Sequence, residues 1–137
     1  MQPQMTWRRS VAVTEKPARE AARSPVILVV TSDAGLREAS ARAIGGQGFT
    51  VVTAAHAGHA VLACLKAGQV DLLITELSMD DVSGPALAAR LRRHCPKMET
   101  VYFANTGTPE CRGVLVRPFT RDDLLSALAV TRVAAAG

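Results

Sequence analysis

The segment Val70–Gly84 holds the residues best placed to do chemistry. It reads VDLLITELSMDDVSG: an apolar run with Glu76 at its far end, followed by Asp80 and Asp81 in a loop that Gly84 closes. In a parallel sheet, functional side chains collect where strands end and loops begin. Carboxylates at such an end can bind a hard cation, which prefers oxygen ligands. Asp80 and Asp81 also precede a predicted helix, whose N-terminus favours acidic side chains, so we expect no metal there.

Three other groups of residues lack the spacing or context of a site. His56 and His59 lie three residues apart with no third ligand in sight, so we expect no zinc. The glycine-rich stretch 45–48 follows a predicted helix rather than a strand, which argues against a nucleotide-binding loop. The cysteines have no metal-binding or redox spacing and are expected to be reduced thiols without a chemical role: Cys64, Cys95 and Cys111. We therefore expect no catalytic residues and no enzyme activity.

Five apolar runs without polar alternation predict strands buried on both faces of a parallel sheet. They are Val26–Val30, Phe49–Thr53, Leu72–Thr75, Thr100–Ala104 and Val114–Val116. Amphipathic patterns between them predict four helices, through Leu36–Ile44, over Ala57–Ala67, from Pro85 towards Pro96, and from the N-cap Thr120 through Leu128. Strands that alternate with helices indicate an α/β fold with a doubly wound parallel sheet.

The connection between the last two strands is too short for a helix. Asn105–Arg112 spans eight residues, whereas a crossover between parallel neighbours normally takes about a dozen or more. An extended chain of that length can still return along a strand of five residues, since each residue spans about 3.3 Å. We predict a parallel fifth strand without a crossover helix, with an antiparallel hairpin as the alternative.

Length and charge define the organisation of the chain. With 137 residues and 48% hydrophobic composition, it can bury one core. We predict a disordered basic tail over residues 1–24, which carries five basic and two acidic side chains, and a single domain over residues 25–137. No run is long and apolar enough to cross a membrane, and a secretory signal is lacking. These features predict a soluble, cytoplasmic protein.

Three segments together resemble the receiver domain of bacterial two-component response regulators. They are VILVVTSDAGLRE, VDLLITELSMDDVSG and GVLVRPFTRDDLLSAL, and the similarity extends over roughly Val26 to Val133. The resemblance implies a flavodoxin-like, five-stranded sheet with strand order 2-1-3-4-5 and a site at the carboxyl ends of the strands. This chain would lack the family's helix between strands four and five.

The resemblance also implies a site whose working residues are replaced. Receivers of this family hold Mg²⁺ with acidic residues after the first strand and accept a phosphoryl group on an aspartate that ends the third. Here the acidic positions fall on Thr31 and Ser32, with Asp33 one position late, and the acceptor position falls on Glu76. Neutral hydroxyls do not replace carboxylates as Mg²⁺ ligands, so Mg²⁺ binding is not expected.

Two further positions of the family's switch are also changed. The hydroxyl position at the end of the fourth strand falls on Ala104, or on Thr106 if the register slips, and the lysine position after the fifth falls on Arg117. Arg117 and Glu76 would project toward each other from neighbouring strand ends, so we predict an ion pair between them. The whole pattern predicts an atypical pseudo-receiver that signals through protein contacts without phosphorylation.

Two other functions remain open at this stage. The chain could still accept a phosphoryl group on a non-standard acid, Glu76 or Asp80. It could also be a nucleic-acid-associated regulator that uses the basic tail with Arg90, Arg92, Arg93 and Lys97. No DNA-binding motif is visible, which makes this second alternative the weaker one.

The missing helix suggests where a protein partner would bind. Leaving an apolar sheet face bare is costly, at about 25 cal/mol per Å². We therefore predict a homodimer that covers strands four and five, with an interface at Val101, Phe103, Val114 and Val116. The alternative is that the connecting loop or the tail covers the gap.

Overall fold

The computed structural model describes residues 24–109 and 111–131. Its strands are β1 Val26–Val30, β2 Thr50–Ala54, β3 Leu72–Glu76, β4 Glu99–Ala104 and β5 Val114–Val116. Its helices are α1 Ala34–Gly45, α2 Ala57–Ala67, α3 Gly84–Arg92 and α4 Arg121–Ala129. The predicted elements are confirmed with small shifts at their ends, the largest at α3, which ends at Arg92 and not near Pro96. The predicted tail, except for Ser24, lies outside the described residues.

The five strands form one parallel sheet in the order β2-β1-β3-β4-β5, as predicted. Helices pack on both faces and bury the strands. Alternate residues of β1 belong to different layers: Leu28 and Val30 pack with α2 and α3, whereas Ile27 and Val29 pack with α1 and α4. The strand sequence shows no alternation because both of its faces are buried. None of the described helices has both the length and the apolar character needed to cross a membrane.

Side chains fix the N-termini of the helices that border the carboxyl end of the sheet. Asp33 accepts a hydrogen bond from the Leu36 amide at 3.0 Å and starts α1 immediately after β1. Ser83 caps α3 in the same way. Thr120 and Asp123 form a reciprocal capping box at the start of α4. Each cap sets the point at which the chain leaves a strand-end loop and turns into the next helix.

Gly84 permits α3 to approach the end of β3. Its amide donates a hydrogen bond to the Leu77 carbonyl at 2.9 Å. A Cβ atom at this position would overlap the carbonyl oxygen of Glu76 and lie 2.9 Å from the ring of Tyr102. Glycine is therefore required here by space, since its backbone lies against the backbone of the site.

The connection between β4 and β5 contains no helix among its described residues, and β5 runs parallel to β4. The predicted missing helix is confirmed and the alternative of an antiparallel hairpin is wrong. Two glycines with positive φ, Gly107 at 97° and Gly113 at 84°, turn the chain. Two short turns, closed by hydrogen bonds from the amides of Thr108 and Val114, complete the connection to β5.

The interface predicted at Val101 and Phe103 is wrong, because these side chains point to the other face of the sheet. They are 2% and 0% exposed and pack with Leu115 in the layer of α1 and α4. Successive side chains of a strand alternate between faces, so Tyr102 and its register partner Val114 lie on the side of the missing helix. Val114 and Val116 remain candidates, and both are half-buried.

Side chains of the chain itself partly cover the place of the missing helix. Arg92 donates one hydrogen bond to the Thr100 hydroxyl at 2.8 Å and another to the Met98 carbonyl at 3.3 Å. Tyr102 packs against Gly84 on the same face. The large hydrophobic side chains that are exposed in the described part of the chain lie outside β4 and β5: Leu62, Leu65 and Val130. The face left by the missing helix is thus less bare than the sequence suggests.

Candidate functional site

The carboxyl ends of β1, β3 and β5 border a cleft of about 590 Å³. Its lining contains every acidic residue that the sequence singles out, together with the arginine after β5. The lining residues are Ser32, Asp33, Ala55, His56, Glu76, Ser78, Met79, Asp80, Asp81, Asn105 and Arg117. The predicted site residues are therefore brought together at one edge of the sheet, apart from Thr31 and Ala104, which lie buried beside the cleft.

Glu76, the last residue of β3, is held by two donors on a single carboxylate oxygen. Its Oε2 accepts a hydrogen bond from the Thr31 hydroxyl at 2.6 Å and lies 2.5 Å from Nη2 of Arg117. The ion pair predicted from the sequence is present. Both side chains of the pair are largely buried, with 15% of Glu76 and 27% of Arg117 exposed. Charge-assisted bonds of this kind are short and strong.

Arg117 is oriented by the end of β4. Its amide donates to the Ala104 carbonyl at 2.9 Å, and its Nη1 donates to the Asn105 side chain at 3.3 Å. The guanidinium carbon lies 5.9 Å from the centre of the Phe103 ring, within the range of a cation–π contact. The guanidinium group therefore reaches Glu76 already positioned by three neighbours.

Ala104, predicted to occupy the hydroxyl position, is the last residue of β4 and pairs with Val116. Ala104 is buried and has no hydroxyl to offer. Thr106, the alternative, lies past the strand and donates its hydroxyl hydrogen to the Arg117 carbonyl at 3.0 Å. Its hydroxyl is therefore bonded to the backbone, away from the Glu76 carboxylate.

The residues at the acidic positions are neutral or are engaged within the chain. Thr31 is buried and bonded to Glu76, and Oδ1 of Asp33 caps α1. Asp81 accepts hydrogen bonds from the amides of Ala57 and Val82. No group of three or more His, Cys, Asp or Glu residues with metal-binding geometry occurs in the described ranges 24–109 and 111–131.

Two contacts were missed by the sequence reasoning. Thr31 bonds Glu76 because β1 and β3 are paired with Val30 beside Thr75. The next residue of each strand segment, Thr31 and Glu76, therefore lies beside the other. The other contact joins Cys64 and Cys95, whose sulfur atoms lie 3.7 Å apart although 31 residues separate them. Burial, and next the hydrogen bond with Cys95, raises the pKa of the Cys64 thiol to about 11. The first contact follows from the pairing register of β1 and β3, which the sequence alone does not state. Nothing in the sequence indicates the second contact.

His56 and His59 form a local structure at the start of α2. His56 caps the helix by accepting from the His59 amide at 3.4 Å, and the two rings stack with centroids 3.9 Å apart. Both side chains are exposed. Their contacts are those of a helix terminus.

Comparison with known proteins agrees with this fold. A model of the response regulator receiver domain matches residues 27–129. The transcriptional regulatory protein GlrR of Escherichia coli (strain K12) is 31% identical over 111 residues, which cover 74% of this chain and 25% of GlrR. The sensor kinase CckA of Brucella abortus (strain 2308) is 27% identical over 128 residues, which cover 83% of this chain and 13% of CckA.

The structural similarity covers the same region. The solved structure of the chemotaxis response regulator CheY4 of Vibrio cholerae matches with a TM-score of 0.68 at 24% identity, over 81% of this chain and 99% of CheY4. The chain spans a quarter or less of the two longer relatives, GlrR and CckA. The family model, in contrast, extends from β1 to the end of α4. The chain therefore belongs to the response regulator receiver domain family.

Proposed function

We propose that this receiver domain acts without phosphorylation, as a protein-binding module that a permanent Glu76–Arg117 contact holds in one conformation. The observation that carries this proposal is the position of Oε2 of Glu76. That oxygen bonds both the Thr31 hydroxyl and the Arg117 guanidinium. The group at the acceptor position is therefore already neutralised by a cation within the chain.

The requirements of phosphoryl transfer support this proposal. Catalysis of that reaction consists almost entirely of positioning and of neutralising the charge that develops, usually with a metal ion. Here the acidic positions hold Thr31 and Ser32, and Asp33 is engaged as a helix cap. Glutamate also places its carboxylate roughly 1 Å farther from the backbone than aspartate, and misplacement of that size can cost about a hundredfold in rate. Mg²⁺ is accordingly not a cofactor in this proposal.

Incubation with acetyl phosphate and Mg²⁺, followed by intact mass measurement, tests the proposal. We expect no phosphoryl adduct on the unmodified chain. The matched control carries Thr31→Asp, Ser32→Asp, Glu76→Asp and Arg117→Lys, which returns the carboxylates and the lysine of the family's pattern. An adduct on the unmodified chain would overturn the proposal in favour of phosphorylation on a non-standard acid. Glu76→Gln and Asp80→Asn would then locate it.

The proposed partner is a second copy of the chain bound along the outer edge of β5. This strand has three residues and pairs on one side only, with β4, in the described sheet. A cleft beside it is lined by residues that include Val114, Val116 and Val130. The side chain of Val130 is 56% exposed. Exposed apolar side chains next to an unpaired strand edge favour association.

Light scattering over a series of protein concentrations tests the dimer. We expect dimers that dissociate when Val130→Lys places a charge in the cleft. The control is Leu62→Lys, because Leu62 is 64% exposed on α2, at the opposite side of the sheet. A monomer at every concentration would reject the homodimer while leaving the absence of phosphorylation open to its own test.

A further inference from the structure

Two buried thiols from different elements are in contact beneath α2 and α3. Cys64 lies in the last turn of α2, and Cys95 follows α3 in the turn that leads to β4. Their sulfur atoms are 3.7 Å apart, and their residues are 1% and 5% exposed. The contact is within the core layer shared by α2 and α3. No function proposed above uses it.

The two sulfur atoms are in non-bonded contact, and residues next to the pair reach the surface. A disulfide has a sulfur–sulfur distance of about 2.0 Å, so the two atoms must approach by roughly 1.7 Å. Cys95 lies just beyond the regular helix: its amide donates to the Leu91 carbonyl in the last turn of α3, and its carbonyl accepts from the Met98 amide. The residues that flank the pair at the surface, Gln69, Pro96 and Lys97, are exposed. The pair therefore lies next to residues that solvent reaches.

The two sulfurs have different surroundings, which assigns them different roles. The Val70 amide donates a hydrogen bond to the sulfur of Cys95 at 3.3 Å. Cys95 is also the more exposed of the two residues, at 5% against 1% for Cys64. Burial raises the pKa of Cys64, which keeps this thiol protonated. Cys95 is thus suited to react first and Cys64 second.

We propose that Cys64 and Cys95 form a dithiol site that a hydroperoxide oxidises to an internal disulfide. The Cys95 sulfur attacks one peroxide oxygen, the O–O bond breaks, and a sulfenic acid and one water are formed with hydrogen peroxide. The Cys64 sulfur then attacks the sulfenic sulfur, and its proton leaves with the hydroxyl as a second water. Two thiols and one peroxide give one disulfide and two waters; the sulfurs lose the two electrons that the peroxide gains.

The disulfide would fasten α2 to the turn before β4. These two parts of the chain are otherwise connected through side-chain packing in the layer of α2 and α3. A cross-link that closes a loop of about thirty residues restricts the unfolded chain and stabilises the native one. The structure thus predicts a receiver domain whose stability depends on the redox conditions.

Hydrogen peroxide treatment of a chain carrying Cys111→Ser tests the proposal without altering the core. Cys111 is exposed and separate from the pair, so its loss leaves two thiols. After the peroxide is removed, the protein is unfolded with N-ethylmaleimide and its intact mass is measured. We expect a monomer two hydrogen masses lighter that binds no maleimide, whereas untreated protein binds two. Its urea unfolding midpoint is expected to rise and to return with dithiothreitol.

Two results would overturn the site. One is a treated chain that still binds two maleimides at a peroxide dose that oxidises Cys111 in the unmodified protein. The other is a mass gain from added oxygen without a cross-link. The order of reaction has its own test in the same background: dimedone, which traps sulfenic acid, should label Cys64→Ser and leave Cys95→Ser unlabelled. Labelling of Cys95→Ser alone would reverse the assigned roles, and circular dichroism checks that both variants are folded.

Discussion

The two ends of the sheet differ in how they use reactive side chains. At the carboxyl end, where the family resemblance directs attention, two carboxylates are engaged within the chain: Glu76 with Arg117 and Thr31, and Asp33 with a helix amide. Towards the other end of the strands, where no site was expected, Cys64 and Cys95 touch without a covalent bond. The comparison teaches that position in the fold and reactivity are separate properties.

The first way to break this comparison is to disturb the backbone on which Glu76 lies. Gly84→Ala places a methyl group against the Glu76 carbonyl and the Tyr102 ring, where no space exists. We expect the free energy of unfolding to fall by more than about 2 kcal/mol, measured by urea denaturation. Gly45→Ala is the control, because the nearest atom to its Cβ is a Val51 methyl group at 4.0 Å. Equal losses in both variants would show that the close approach at Gly84 is unimportant.

A second prediction is that the buried thiol pair makes the stability of the fold depend on pH in the alkaline range. The pKa of Cys64 rises from 9.0 to about 11 on folding, so the folded chain keeps a proton that the unfolded chain releases. The contribution of this thiol to stability is therefore fully present below pH 9 and is lost as the pH rises toward 11, by about 3 kcal/mol in total. Urea unfolding at a series of alkaline pH values measures this slope. Cys64→Ala should remove most of it, and an unchanged slope in that variant would contradict the assignment.

A third prediction concerns the strength of the contact at the carboxyl end. Arg117→Met leaves the largely buried carboxylate of Glu76 without its cation, and we expect a loss of about 1–2 kcal/mol in the free energy of unfolding. Glu76→Gln in the same background should recover part of this loss, because no buried charge then remains unpaired. Arg93→Met is the control, since Arg93 is exposed and lies outside both clefts. Additive effects of the two site substitutions would mean that the pair has no coupling energy.

The elements of the fold were predictable because their signals are local. Runs such as Val26–Val30 show no alternation, and the caps Asp33 and Thr120 lie next to the helices that they start. The strand order came from the resemblance. The faces of β4 were not predictable in the same way, because a shift of one residue exchanges Phe103 with Tyr102 and the helices decide which face is covered.

Contacts between residues at neighbouring strand ends were predictable from the sequence. Contacts that depend on how helices and turns pack together were not. Glu76 and Arg117 follow from two strand ends that meet at one edge. Thr31 requires the pairing register of β1 and β3, which the sequence does not state. Cys64 and Cys95 meet through the packing of α2 against the turn after α3. That distance depends on how two helices lie across a sheet, which no spacing rule encodes.

The smallest expected change in the free energy of unfolding concerns a buried polar atom without a hydrogen bond, unlike the bonded groups at the carboxyl end of the sheet. The hydroxyl of Ser40, in α1, is buried without a hydrogen bond in the described structure, and its residue is 2% exposed. Removing a buried, unbonded hydroxyl relieves its desolvation cost, so Ser40→Ala should raise the free energy of unfolding by roughly 0.5–1 kcal/mol. Ser126→Ala, at an exposed position of α4, should change it by less than the error of urea denaturation. A loss of stability in Ser40→Ala would mean that this hydroxyl has a partner in solution, and that polar groups in the layer of α1 and α4 are as fully bonded as those around Glu76.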